Sequence, residues 1–262
     1  MLEWRLSCSK RIEYLSLLAP EYLVILGLTA FAIGFVKAGI PALGMLVSAL
    51  IAMVFTPREA LGIILIYLLA GDLVAVCFYW RLAHVSEYLK MLPPTIIGIA
   101  LGGIMLSFLN NDSLGLAIGL MVVVLVSLEP FRPKMEKWAF HYPHSVRYGS
   151  GLLAGVSTTI GNAAGPVMSL YFLLLKLDKK AFVGTSSIFF LTINTIKIPI
   201  FQYQGLFTPA YFPSIALSIP LVYVGAIVGR FFLNWISQLW FKRIILVLSG
   251  LAGLGLVIRY FV

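Results

Sequence analysis

Gly34-Phe35-Val36-Lys37-Ala38-Gly39-Ile40-Pro41-Ala42-Leu43-Gly44 and Gly155-Val156-Ser157-Thr158-Thr159-Ile160-Gly161-Asn162-Ala163-Ala164-Gly165-Pro166 are the two stretches that decide the fold. Each interrupts an apolar run with glycine and proline. A shift of about 120 residues superimposes them, Gly34 on Gly155 and Gly44 on Gly165. With one residue of adjustment Gly62 falls on Gly184 and Asp72 on Asn194. With a few more, Pro94 meets Pro220, and the pair Gly98/Gly102 meets Gly225/Gly229. Order and spacing match together, so the pattern is read as an internal repeat rather than a coincidence of glycines.

Composition supplies the setting. Of 262 residues, 61% are hydrophobic and 11% charged, against about 45–50% and roughly 25% in soluble domains. So few charges cannot cover a water-facing globule, and the excess apolar surface implies lipid. The net charge of +9 sits in short clusters between apolar runs. It therefore signals topology and anionic headgroups rather than nucleic acid. Cys8 and Cys77 have no metal-like spacing and no disulfide framework. No cleavage-site pattern follows the first apolar run. His141 and His144 belong to a solvated loop, and the tryptophans near segment ends fit interfacial anchors. Paired-carboxylate, nucleophile–base and phosphate-loop patterns are absent from the sequence, so neither an enzyme nor a cofactor is expected.

A spanning helix needs about 20 apolar residues. The segmentation divides the chain into an interfacial stretch 1–19, a first repeat 20–129, a loop 130–147 and a second repeat 148–262. The expected fold is an all-α polytopic membrane protein of two inverted repeats. Each repeat has a short broken or re-entrant helix pair followed by three transmembrane helices. Thr56 is a candidate helix cap with Pro57 in the first turn. In the first half the long runs are Arg58–Trp80, Pro93–Leu109 and Ser113–Leu128; in the second they are Ala181–Phe201, Tyr211–Phe232 and Leu239–Phe261.

Inversion follows from loop charge. Glu129–Arg147 holds Arg132, Lys134, Lys137 and Arg147, whereas Asn110–Asp112 and Gln204–Pro209 hold no lysine or arginine. Basic loops inside and bare loops outside make the halves run in opposite directions. Arg5, Lys10 and Arg11 disagree, because this scheme leaves the N-terminal stretch outside.

Broken helices at membrane depth are tolerated where protein or a water-filled cavity surrounds them. Matching interrupted segments in two halves point to a transport site. Half-helices beginning near Pro41 and Pro166 would turn backbone N–H groups, and about half a positive charge, toward an anion. Gly39, Gly44, Gly161 and Gly165 would let that anion approach. Lys37, Thr158, Thr159 and Asn162 would donate hydrogen bonds. Gly98/Gly102 and Gly225/Gly229 read better as close helix packing.

Ionisable groups at bilayer depth are functional candidates: Lys37 at the first break, and Asp72 and Lys197 on helices that correspond between halves. Asp72 and Lys197 are expected to face each other. Asp72 is either a carrier of a coupling proton or half of a structural Asp–Lys pair. Lys197 either attracts an anion or snorkels to an interface. Asn194, one turn before Lys197, is expected to donate to substrate.

These residues resemble the sulfite exporter TauE/SafE family, also called the toluenesulfonate uptake permease family. The resemblance runs from about Gly27 to about Val257. Its carriers are Gly34–Gly44, Pro57-Arg58-Glu59-Ala60, Asp72-Leu73, Gly155–Pro166, Gly184-Thr185-Ser186, Asn194, Lys197 and Gly205. It implies a multi-pass permease of the bacterial inner membrane. Such a permease moves sulfur-containing or carboxylate anions, such as sulfite, sulfonates or sulfoacetate, by proton-linked or gradient-driven movement without ATP, and export with proton linkage is the expected mode here. A passive anion channel or a carboxylate transporter is the alternative. A homodimer is permitted by the glycine-spaced faces. The breaks depart from the family's usual denser glycine at Ile40-Pro41-Ala42 and Asn162-Ala163-Ala164, which puts the pocket and the substrate in question.

Overall fold

The computed structural model describes residues 20–39, 44–128, 131, 134, 141–165, 167–168, 179–232, 254 and 257–258. The stretch 1–19, Pro41, Pro166 and nearly all of Leu239–Phe261 lie outside the described residues. The described regular structure is helical: α1 (Pro20–Gly39), α2 (Gly44–Val54), α3 (Pro57–Tyr79), α4 (Val85–Phe108), α5 (Asn111–Leu128), α6 (Pro143–Gly161), α7 (Lys179–Tyr203) and α8 (Phe212–Phe232). Among the described residues, five stretches are long and apolar enough to cross a membrane: Tyr22–Gly39, Pro57–Leu82, Tyr88–Phe108, Lys180–Tyr203 and Pro209–Phe232. Leu28, Ile104, Phe108, Leu217 and Phe231 stand exposed on these helices, a surface that suits hydrocarbon and not water.

Several boundaries differ from the sequence expectation. The helix leading to the first break continues through Lys37 to Gly39. Lys37 therefore sits in a last helical turn and not in the break itself. The helix placed at Pro93–Leu109 starts at Val85, and Pro93 and Pro94 lie within it. Local signals elsewhere hold: Thr56 caps α3 in a full capping box with Glu59, which satisfies two otherwise orphaned amides.

α2 has 11 residues and rises about 16 Å, roughly half of a ~30 Å hydrocarbon layer. Gly44, at its start, therefore lies deep in the protein, and a Cβ added there would sit 4.0 Å from Asn162 O. The two breaks thus meet.

Helix directions are fixed by contacts at both ends of α3. At its start, the Arg58 guanidinium donates to Leu109 O (2.9 Å) and Gln204 O (3.1 Å), which brings the two bare loops to one end of the molecule. At the far end, the His84 N–H donates to Thr185 Oγ1 at 2.9 Å. α3 and α7, the helices that carry Asp72 and Asn194, therefore run antiparallel.

α1 packs closely along α8, and α4 along α6. A Cβ on Gly34 would fall 1.9 Å from Val222 O, and one on Gly225 2.0 Å from Phe31 O. In the other pair, a Cβ on Gly98 would fall 2.2 Å from Leu152 O and one on Gly155 2.2 Å from Thr95 O. Only a residue without a side chain permits such approach, so these glycines are packing positions, as expected of Gly98/Gly102 and Gly225/Gly229.

Candidate functional site

The buried polar residues gather where α1, α3, α6 and α7 approach the two breaks. Asp72, fully buried in α3, is held from two sides. Lys37 Nζ lies 2.7 Å from its Oδ1, and Asn194 Nδ2 donates to its Oδ2 at 2.7 Å. Gly71 makes room for the lysine stem, since a Cβ there would be 3.0 Å from Lys37 Cγ. The ammonium also lies 4.3 Å from the centre of the Phe190 ring, an attractive cation–π placement.

Lys197, one turn beyond Asn194, is fully buried and does not snorkel. Its ammonium donates to Thr158 O (3.0 Å), Thr158 Oγ1 (3.0 Å) and Asn162 Oδ1 (2.7 Å). Three acceptors match the three N–H bonds of an ammonium. The binding point is the end of α6. Asn162 adopts φ 52°, ψ 30°, the left-handed conformation that ends helices and that asparagine tolerates better than other side-chain-bearing residues. The Ala163 N–H closes the turn onto Ser157 O at 3.2 Å. Lys197 thus neutralises part of the negative pole of a helix C-terminus.

The expectation that Asp72 faces Lys197 is corrected. The carboxylate pairs with Lys37, and Lys197 acts on it only as a more distant charge. The reason is geometric: Asn194 occupies the α7 position nearest Asp72, and Lys197 turns toward the end of α6. Asn194 accordingly donates to Asp72 and not outward.

The other expected site residues divide in two. Thr158 and Asn162 stand in the cluster, and Gly44 adjoins it at the backbone of Asn162. Thr159 turns its hydroxyl to Gly155 O at 2.9 Å and packs against Gly102. Gly161 packs under Met121, and Gly39 approaches Gly229. Gly165 is buried. Pro41 and Pro166 lie outside the described residues. Phe190 and the Arg58 tie were not singled out as site features from the sequence. A phenylalanine among 18 carries no individual signal, and an arginine at a helix start reads as surface charge.

The described residues contain no group of His, Cys, Asp or Glu able to hold a metal ion. The arrangement is electrostatic: two ammonium groups and one carboxylate held at membrane depth beside two helix breaks. A polytopic membrane protein built this way is a solute carrier in construction. The family model described as Sulfite exporter TauE/SafE matches residues 26–256, and the chain belongs to that family. Membership makes it a membrane transporter of the sulfite and sulfur-anion class. No curated protein and no solved structure matches the chain.

Proposed function

We propose that the protein is a secondary permease exporting small sulfur-containing oxyanions, such as sulfite or organosulfonates, across a bacterial inner membrane, with proton linkage. One observation carries this reading: Lys197 is fully buried and held only by neutral oxygens, with no carboxylate among the described residues within ion-pair distance. A buried charge without a counter-charge is costly. An anion entering between the breaks would complete it. The mechanism is alternating access about this point, with two inverted halves rocking around the central cluster. The antiparallel α3 and α7, and the reciprocal glycine packing of α1 on α8 and α4 on α6, support the inverted repeat. Asp72 is the proton carrier in this scheme: when it takes up a proton, Lys37 is released to the substrate.

The test is flux of sulfite and small sulfonates into proteoliposomes, with and without an imposed pH gradient. Saturable flux that follows the gradient, and that loses this response in Asp72→Asn, is the expected result. Currents far above carrier turnover would establish a channel instead. Flux confined to carboxylates would change the substrate class. Absence of any anion flux would remove the transport reading.

A further inference from the structure

Two amide atoms in the cluster are buried and have no partner: Asn162 Nδ2, a donor, and Asn194 Oδ1, an acceptor. The orientation of each amide is set by a charged neighbour. Asn162 must turn its oxygen to the Lys197 ammonium at 2.7 Å, which leaves the nitrogen free. Asn194 must turn its nitrogen to the Asp72 carboxylate at 2.7 Å, which leaves the oxygen free. Flipping either would set like poles together. Asn162 is 6% exposed and Asn194 1%, so water does not readily satisfy them. A buried polar atom left unpaired forfeits its hydration with nothing in return. One belongs to the amide that holds the Lys197 ammonium and the other to a residue one turn from Lys197 on α7, and a ligand would satisfy both.

We infer that this cluster is shaped for a singly charged oxyanion that carries its own hydrogen-bond donor. Examples are a protonated oxyanion such as hydrogen sulfite, or a sulfonate with a neighbouring hydroxyl. The anionic oxygens lie beside the Lys197 charge, whose three N–H bonds the protein already engages, and accept from Asn162 Nδ2. The ligand's O–H donates to Asn194 Oδ1, an acceptor that an anion made only of acceptors would repel. Asn194 is thereby a specificity-determining residue, with its amide nitrogen tied to Asp72 and its oxygen reading the substrate. This rests on the anion-permease reading above and adds to it a discrimination that charge alone does not supply. Sites built to pair a substrate hydroxyl reject analogues lacking it.

The experiment is calorimetric binding to the purified full-length protein in nanodiscs, with ethanesulfonate and 2-hydroxyethanesulfonate as a pair differing by one hydroxyl. The hydroxylated anion should bind about tenfold more tightly, the worth of one net hydrogen bond. Asn194→Leu should bring the ratio near one. Asn194→Ser, whose short polar side chain withdraws the amide oxygen without adding an apolar group, should do the same. Ethanesulfonate affinity that persists in the variants shows that the fold and anion site remain. Equal binding of both compounds to the unaltered protein overturns this inference and leaves the permease reading standing. Binding of neither compound, nor of sulfite, overturns both.

Discussion

Lys37 and Lys197 are the same residue type, equally buried, near the ends of corresponding breaks, and they have different partners. Lys37 meets a full carboxylate and an aromatic face. Lys197 meets a backbone carbonyl, a hydroxyl and an amide oxygen. The first arrangement is electrically closed and the second is open. A closed pair holds helices together, while an open ammonium awaits a counter-ion. The difference teaches that two buried lysines of one cluster can divide its chemistry: Asp72 stands on α3 and Asn194 on α7, and the carboxylate serves only one of the two lysines.

The largest expected effect comes from breaking the closed pair. Lys37→Met leaves Asp72 buried without its cation and should cost about 3–5 kcal/mol of stability, read by denaturant titration in mixed micelles. The double variant Lys37→Met/Asp72→Asn should recover much of that. If the single variant is as stable as the unaltered protein, the pair is not closed in the membrane. Lys197→Met should weaken anion binding about ten- to hundredfold, the worth of a charged hydrogen bond, with a smaller loss of stability than Lys37→Met. Equal destabilisation by the two lysine variants would erase the contrast between them.

A smaller effect tests whether the halves pack as equivalents. Gly225→Ala and Gly155→Ala each drive a methyl toward a carbonyl, and each should cost about 1–3 kcal/mol. A large cost for one and none for the other would break the reciprocity. The smallest effect separates the two roles of Asn162. Asn162→Ala should cost about 1–2 kcal/mol through its left-handed backbone. Asn162→Gly should keep stability nearer to native and still lose anion affinity, because the anion loses the Asn162 Nδ2 donor. Thermal unfolding and binding measured on the same two variants decide this.

The members of the buried polar cluster were legible as a set of residues, because charged and amide side chains within apolar runs are conspicuous. Lys37, Asp72, Asn162, Asn194 and Lys197 stand out for that reason, and all five lie in one buried cluster. Their pairing was not legible. Whether Asp72 meets Lys37 or Lys197 depends on the rotation of α7 against α3 and α6. Side-chain chemistry in the sequence does not encode that rotation. The donor expected of Asn194 toward substrate is engaged inside the protein for the same reason.

The helix break at Asn162 follows from local conformational preference, and the capping box at Thr56 follows from side-chain reach over one turn. Membrane residence follows from transfer free energy summed along each run. These are short-range or additive properties, and the sequence alone determined them. Tertiary structure alone decided which lysine would be neutralised, that the two bare loops are tied together by Arg58, and that two buried amide atoms would be left without partners. Each of these depends on the approach of residues far apart in the chain, where a rotation of one helix by a single residue exchanges one partner for another.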